Sequence, residues 1–209
     1  MKTALDKARE APKSTKARLL GAAEEVFAAK GFEGASTREI AARAGVNISS
    51  LHYHWESKER LYFAVFRNIY DQIVGLLQNT LAPLISEHTD PEKIIDVTVG
   101  QLFEFFSANP NIPKLLLRRV VENEEVEVGI ERDVLQPAWT EFAKWLARLG
   151  RHMSDTDSRL FMLSVQTVLL VYLLDASSYR NLLGGSVREE PLHTQVRDHV
   201  LKLVRQLLV

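Results

Sequence analysis

The sequence predicts an all-α protein with a small three-helix domain at its amino end and a larger helical domain after it. Apolar residues recur at the spacing of amphipathic helices through most of the chain, and no segment shows the strict alternation of a half-buried strand. The length of 209 residues is enough for both domains. We expect about nine helices, with residues 1–14 as a basic tail, 15–60 as the small domain and 61–209 as the larger one.

The small domain opens with a helix that turns one apolar stripe toward a core. The stripe follows the i, i+3, i+4, i+7, i+8 pattern and consists of Leu19, Ala22, Ala23, Val26 and Phe27. Gly31 and Gly34 are expected to end this helix, because glycine is a poor helix former and is frequent just beyond helix ends.

A short helix and a tight turn follow from residue 36. Ser36 can cap this helix, and Glu39, three residues later, has the spacing of a capping box. Ile40 and other apolar residues give the helix an inner face. Gly45 stands where the chain must turn sharply, and glycine takes the left-handed backbone conformation without a steric cost.

A second short helix begins after Asn47, which is a favourable capping residue. Leu51 and Trp55, four residues apart, are expected to face inward. Its remaining surface is covered by small hydroxyl, aromatic and imidazole side chains, with one isoleucine, at Ile48, Ser49, Ser50, His52, Tyr53 and His54. A helix this short with such an outer face is typical of a recognition helix that lies in the DNA major groove.

Residues 14–67 resemble the amino-terminal DNA-binding domain of the TetR/AcrR family of bacterial transcriptional repressors. The resemblance is carried by the segments AAKGFEGAS, TREIAARAGVN, SSLHYHWESKERL and AVF. The family pattern usually has Gly near Ser49, Tyr near His52 and Phe near Trp55, and this chain departs from it at all three positions. Over the whole chain, length and helical layout also resemble the family.

The resemblance implies how the domain holds the DNA backbone. In the family, a Thr-Arg pair at the start of the first short helix contacts phosphate, and the matching residues are Thr37 and Arg38. A helix amino terminus with a hydroxyl beside it is well suited to phosphate. Lys58, which opens the next helix close by, is expected to bind phosphate as well.

Base reading is assigned to the second short helix. Ile48 can contact a thymine methyl, and Ser49 and Ser50 can donate to or accept from bases. His52, Tyr53 and His54 match family positions that touch bases or phosphates, while a packing role for Tyr53 or His54 remains open. The predicted DNA-binding residues are Thr37, Arg38, Asn47, Ile48, Ser49, Ser50, His52, Tyr53, His54 and Lys58.

The charge of the chain is distributed unevenly. The formal net charge is −1, but residues 1–18 contain six Lys or Arg and only two acidic residues. Residues 1–60 contain eleven basic and eight acidic residues, against fifteen and nineteen in the remainder. A basic amino end on an acidic body fits a protein that presents one end to phosphates, although a basic tail can also serve solubility alone.

A long helix is predicted to link the two domains, from about residue 58 to residue 81, with Pro83 as its stop. Asp90-Pro91 opens the next helix, and residues 109–113 break the chain. A helix then runs through Trp139, Phe142 and Trp145 to Gly150, with Pro137 at a kink or at its true start. Two last helices are expected at about 155–183 and 190–208.

An effector pocket inside the larger domain is implied by the resemblance. Its candidate residues are Phe66, Tyr70, Phe103, Phe106, Leu116, Arg119, Trp139, Phe142, Gln166 and Tyr172. For the aromatic members, a core role is the open alternative. Gln166 and Arg119 interrupt apolar segments and need a partner, which is either a neighbouring side chain or a ligand. Abundant apolar surface favours a hydrophobic or amphipathic small molecule over a sugar phosphate.

The last two helices are expected to form a homodimer. Residues 160–174 are apolar almost all the way round, so this helix must be covered on more than one side. Packing with the final helix and with the same pair of a second subunit gives a four-helix bundle, unless both helices are buried within one subunit. Two recognition helices related by a two-fold axis can read a palindromic operator.

Other functional classes find little support in the sequence. The chain lacks cysteine and has no HExxH, P-loop, GxGxxG or GxSxG motif, and its six histidines are poorly spaced for a metal site. We therefore expect no enzyme, no cofactor and no metal. An architectural DNA-coating protein would not need the large aromatic-rich second domain. No apolar run approaches the length of a membrane span, so a soluble cytoplasmic protein is expected.

These inferences converge on a homodimeric regulator, acting as a repressor, that a small ligand releases from a palindromic operator. The alternative is a DNA-binding protein that activates or that needs no ligand. The linking helix is the expected mechanical element, because a ligand changes DNA affinity only through unequal affinity for two conformations.

Overall fold

The structure is a computed structural model that describes residues 3–87, 89–122, 137, 140 and 154–207. Residues 3–87, 89–122 and 154–207 contain ten helices, and no described residue is in a strand, so the predicted all-α class is confirmed. The chain divides into two compact units. The first comprises residues 1–71 and 114–130, and the second comprises residues 72–113 and 131–209.

Helix α1 (Ala4–Glu10) stands where a basic tail is expected. Its capping box is complete, because the Thr3 hydroxyl accepts from the Asp6 amide at 3.1 Å and the Asp6 carboxylate accepts from the Thr3 amide at 2.8 Å. Leu5 and Ala8 are buried, and α1 packs on α2. The number of basic residues predicts a tail, but it takes no account of the Thr3 cap or of the apolar Leu5 and Ala8. These features allow residues 4–10 to form a packed helix.

Three helices complete the small domain: α2 (Thr15–Gly34), α3 (Thr37–Arg43) and α4 (Ile48–Trp55). The predicted apolar stripe of α2 is buried in full, at Leu19, Ala22, Ala23, Val26 and Phe27. Gly31 has φ 72° and interrupts the helical geometry close to the end of α2, as its residue type predicts.

Helix α5 (Lys58–Ser86) starts where predicted but continues past Pro83. Leu61, Val65 and Ile69 are buried along one face. Proline removes the helical hydrogen bond to the carbonyl of residue 79, yet Asn79 is exposed, so the loss need not end the helix. Lys58–Asp71 belongs to the first unit and Gln72–Ser86 to the second.

An aromatic cluster forms the core of the first unit. Tyr62 is central, with ring centroids 4.9 Å from Phe27, 5.0 Å from Phe32 and 4.7 Å from Phe66. Phe66 in turn lies 6.1 Å from Tyr70. All five rings are buried, so α2 and the first turns of α5 share one core.

The second unit begins with the carboxyl-terminal part of α5 and with α6 (Pro91–Ala108), which opens at the predicted Asp90-Pro91 step. Helix α7 (Asn111–Glu122) follows after only Asn109 and Pro110, so the expected break at 109–113 is shorter than predicted. Pro113 is accommodated in the first turn of α7, where its missing N–H has no helical partner to lose. Residues of α7 from Lys114 onward belong to the first unit.

The predicted helix at 155–183 is two helices. Helix α8 (Asp155–Tyr172) and helix α9 (Ser177–Leu183) meet at 85°. Asp175, with φ 51°, lies in the corner and its carboxylate is buried. The final helix, α10 (Leu192–Gln206), buries Val196, Val200 and Val204, in agreement with its predicted amphipathic pattern.

Two further expectations concern residues 137–150 and membrane-spanning helices. The helix predicted through Trp139, Phe142 and Trp145 lies outside them, apart from Pro137 and Thr140, which are helical. In the described ranges, no single helix has the length and hydrophobicity to cross a membrane; only α8 and α9 counted together reach that composition, across their 85° bend.

Candidate DNA-binding interface

Helix α3 and the turn after it form where predicted, but only the Ser36 half of the expected capping box is observed. The Ser36 hydroxyl accepts from the Glu39 amide at 3.2 Å, which caps α3. The Glu39 carboxylate pairs with Lys30 at 2.8 Å. Gly45 has φ 65°, so the chain turns into α4 through a left-handed residue.

The inner face of α4 fixes its position in the first unit. The Asn47 side chain caps α4 by accepting from the Ser50 amide at 2.8 Å. Leu51 and Trp55 are buried, as predicted. The indole N–H of Trp55 also donates to the Lys16 carbonyl at 3.3 Å, which ties the end of α4 to the start of α2.

The outer face of α4 is exposed. Tyr53 keeps 83% of its surface exposed and Ile48 keeps 37%. Ser49 and His52 are exposed as well. A tyrosine this exposed contributes little to the fold, which disfavours the packing alternative for Tyr53.

His54 has a mixed environment at the end of α4. Its ring lies 4.9 Å from that of Tyr53. Burial of the imidazole, and secondarily the positive charge of Lys16, lower the pKa of His54. Its Nδ1 atom is buried and has no hydrogen-bond partner among the described residues. The lowered pKa favours the neutral form of the His54 imidazole, which interacts through hydrogen bonds rather than charge.

Several predicted base-reading residues already have partners within the protein. The Ser50 hydroxyl donates to the Asn47 side chain at 2.9 Å, so both residues serve the cap of α4. His52 Nδ1 lies 3.1 Å from the Glu56 carbonyl. Ile48, Ser49 and Tyr53 are exposed on the outer face, and the His52 ring is exposed there with only its Nδ1 atom engaged.

The predicted phosphate residues have different surroundings. Thr37 and Arg38 are the first two residues of α3, and Arg38 is exposed. Lys58 is half-buried, and its ammonium donates to the carbonyls of Phe32 at 2.9 Å and Ala35 at 3.3 Å. The same ammonium lies 4.1 Å from the centre of the Phe32 ring. Lys58 thus joins the start of α5 to the end of α2, and its binding to phosphate remains a prediction.

The junction between α4 and α5 contains a feature that the sequence does not reveal. Glu56 has φ 65°, a conformation uncommon for residues other than glycine, asparagine and aspartate. The Ser57 amide donates to the Trp55 carbonyl at 2.7 Å, which closes a very tight turn. The sequence does not predict this turn, because glutamate has no preference for positive φ.

The predicted effector residues fall in both units. Phe66, Tyr70 and Leu116 are buried in the first unit, where Arg119 lies over the Phe66 ring at 5.4 Å. In the second unit, the buried aromatics are Phe103 and Phe106, while Gln166 and Tyr172 are half-buried. Trp139 and Phe142 lie outside the described residues.

The chain is similar to known regulators. A model of the tetR family of bacterial regulatory proteins matches residues 19–65. FasR of Mycolicibacterium smegmatis, an HTH-type transcriptional activator, is 37% identical over 87 residues, which are 42% of this chain and 38% of FasR. RutR of Escherichia coli O157:H7, an HTH-type transcriptional regulator, is 27% identical over 203 residues, covering 95% of this chain and 92% of RutR.

A solved structure agrees with these sequence similarities. A transcriptional regulator from Rhodococcus sp. Rha1 has a TM-score of 0.67 and 21% identity, covering 90% of this chain and 95% of its own. At that identity the similarity shows the fold alone.

The capped α3, the glycine turn and the exposed face of α4 define a helix-turn-helix DNA-binding protein. The tetR family model on residues 19–65, the similarity to RutR over 95% of this chain and the shared fold support a TetR/AcrR family transcriptional regulator. Its relatives are named as regulators and not as enzymes.

Proposed function

We propose that this protein regulates transcription by binding a near-palindromic operator in double-stranded DNA through α4, and that it acts as a repressor. The observation that carries the proposal is the arrangement of α4, in which Leu51 and Trp55 anchor one face while Ile48, Ser49 and Tyr53 are exposed on the other. Side chains fixed in this way suit base reading, which requires a rigidly placed helix. Bacterial DNA lies in the cytoplasm, and the protein is proposed to work there.

Selection of duplexes from a random library by the full-length protein tests the proposal directly. Enrichment of a motif with two-fold symmetry is the expected result. An enriched pool that binds no better than the starting library would refute sequence-specific binding.

The opposite regulatory sign is the second candidate, because FasR is named an activator. Transcription from a promoter that carries the enriched operator distinguishes the two. A repressor lowers transcript yield when it is added, and an activator raises it.

A homodimer through α8 and α10 is proposed as the DNA-binding form. It is supported by the leucines exposed along α8, where Leu160 and Leu163 keep 55% and 53% of their surface exposed. Leu163→Glu should convert the dimer to a monomer in sedimentation velocity and weaken operator binding, while Leu163→Met should retain both. A monomeric parent protein would contradict the proposal.

A hydrophobic or amphipathic effector is proposed to bind within the second unit. The support is that two buried polar atoms, Thr98 Oγ1 on α6 and Gln166 Oε1 on α8, have no hydrogen-bond partner among the described residues. Helices α6 and α8 pack on each other and carry the buried rings of Phe103 and Phe106. Apolar surroundings with a few polar groups are typical of small-molecule sites.

Displacement of enriched operator DNA by compound classes tests the effector proposal. Acyl chains and aromatic amphiphiles should release the DNA, and sugar phosphates should not. Gln166→Leu should weaken the response to an active compound without changing DNA affinity in its absence. Release of DNA by polar compounds alone would overturn this assignment.

Helix α5 is the proposed element of allosteric change, since a single helix contributes to both units. A tilt of α5 in each subunit would change the separation of two recognition helices that must lie roughly 34–36 Å apart on DNA. Spin labels on α4 of each subunit measure this separation. A constant separation during ligand-induced release would favour ordering of the second unit instead.

A further inference from the structure

The basic side chains of residues 3–60 fall into two groups. One group is engaged within the protein: Arg9 with Asp71, Lys30 with Glu39, Arg43 with Glu25, Arg60 with Glu56, and Lys58 with two carbonyls. The charged groups of the others form no ion pair or hydrogen bond within the described part of the chain; these residues are Lys7, Lys13, Lys16, Arg18 and Arg38. Intramolecular carboxylates thus neutralise some cations and leave others uncompensated.

Lys16, one of the uncompensated cations, lies beside the carboxyl end of α4. Its carbonyl accepts from the indole N–H of Trp55, the last residue of α4. Its ammonium is close enough to His54 to contribute, after burial, to the lowered pKa of that histidine. The Lys16 side chain is therefore near the outer, DNA-facing residues at this end of the helix.

Arg18, a second cation without an ion pair among the described residues, lies beside the turn that leads into α4. Its Nη1 is 3.8 Å from the position that a Cβ atom would occupy on Gly45. Gly45 comes two residues before the cap of α4, and Arg18 is exposed. Lys16 and Arg18 thus place one positive charge near each end of α4, although both belong to α2.

We propose that Lys16 and Arg18 bind DNA phosphates bordering the groove that α4 occupies. This inference rests on the proposed function, since it requires α4 to be the helix that meets DNA. Neither cation gives up an ion pair on binding, so each can displace a counterion from the duplex at little cost. Contacts of this kind fix the register of α4 on the backbone and carry no base specificity.

Binding of the full-length protein to two probes tests the proposal. One probe is a duplex enriched by selection, and the other is a mixed-sequence duplex of the same length. The variants are Lys16→Gln and Arg18→Gln, and the matched controls are Lys30→Gln and Arg43→Gln, which remove the same charge from cations already paired with carboxylates. Arg18→Lys keeps the charge, and melting temperature is recorded for every variant.

Lys16→Gln and Arg18→Gln should each lower the slope of log affinity against log salt by about one per bound chain. The loss should be equal for the two probes, and Arg18→Lys should restore the slope. Variants with a parental slope in a protein that does bind the selected duplex would overturn this inference and leave the proposed function intact. Controls that lower the slope equally would also overturn it, because the effect would then reflect net charge alone. A parent protein that binds neither duplex would overturn both.

Discussion

The buried carboxylate of Asp175 should determine the stability of the corner between α8 and α9. It accepts from Arg180 at 2.6 Å, Arg188 at 3.0 Å and the Val187 amide at 3.2 Å. Arg188 exposes only 22% of its side chain, whereas Arg180 exposes 53%. Arg188 also donates to the Leu173 carbonyl at 2.7 Å, so one ion cluster joins the end of α8 to the segment before α10.

Asp175→Asn removes this charge with almost no change of shape, and asparagine tolerates the positive φ of the site. Removing one partner of a buried pair costs about 3–5 kcal/mol, and the partial exposure of Arg188 favours the lower end of that range. A loss of about 3 kcal/mol should lower the melting temperature of a chain of this length by roughly 6–12 °C. Arg180→Gln should cost less than about 1 kcal/mol, because its partner is shared and its side chain is half exposed.

Differential scanning calorimetry of the parent and the variants measures these differences. In a protein that already carries Arg188→Met, Asp175→Asn should lower the free energy of unfolding much less. The mostly buried arginine is then absent, so the substitution leaves no buried cation without its carboxylate. An equal loss in both backgrounds, or a loss below about 1 kcal/mol in the parent, would refute the reasoning.

The same carboxylate predicts a pH dependence. Burial acts to raise the pKa of Asp175, but hydrogen bonds from Arg180, Ser186 and a backbone amide outweigh it, and the pKa is lowered from its usual value. The stabilisation is therefore fully present above the pKa of the unfolded chain, about 3.9, and is lost as pH falls through the lower folded value. The difference between the parent and Asp175→Asn should be constant from about pH 5 to 8 and shrink below about pH 4.

Three further substitutions test the first unit, each by chemical denaturation of the full-length protein. Gly45→Ala should cost about 1–2 kcal/mol because φ is 65° at this turn; no loss would mean that the turn relaxes without strain. Lys58→Met should cost about 1–3 kcal/mol because the Ala35 carbonyl loses its Lys58 donor and the Phe32 carbonyl keeps only the Ala35 amide, and an unchanged midpoint would remove the structural role of Lys58. Glu56→Gly should raise the free energy of unfolding by about 1 kcal/mol through relief of strain, and a large loss would contradict the strained turn.

The elements that the sequence predicts best are those encoded within a few residues. Ser36 and Asn47 each bond an amide three residues later, and the turn at Gly45 depends on that residue alone. The inner face of α4 is equally local, since Leu51 and Trp55 lie one helical turn apart. For these reasons the bounds, caps and inner faces of α3 and α4 could be predicted from the sequence, whereas the DNA contacts of their outer residues stay predictions.

The features that the sequence does not reveal depend on partners distant in the chain. The corner at Asp175 is held by Arg188, thirteen residues later, and no periodicity marks it. Lys58 shows the same dependence, because its ammonium donates to carbonyls more than twenty residues earlier in the chain; its binding to phosphate stays a prediction. Helix α1 is not predicted from its basic composition, because composition does not show whether a segment packs on the rest of the protein. In the structure α1 packs on α2.

The most direct test of the central claim is the specificity ratio, defined as affinity for the selected duplex divided by affinity for a mixed-sequence duplex. It is measured at one salt concentration for the parent, for Ile48→Ala and for Ser49→Ala, with melting temperature as the control for folding. Base contacts are worth about 1–3 kcal/mol each, so the account predicts that the ratio falls at least about fivefold in one or both variants while melting temperature is unchanged. An unchanged ratio in both variants would contradict base reading by the exposed face of α4.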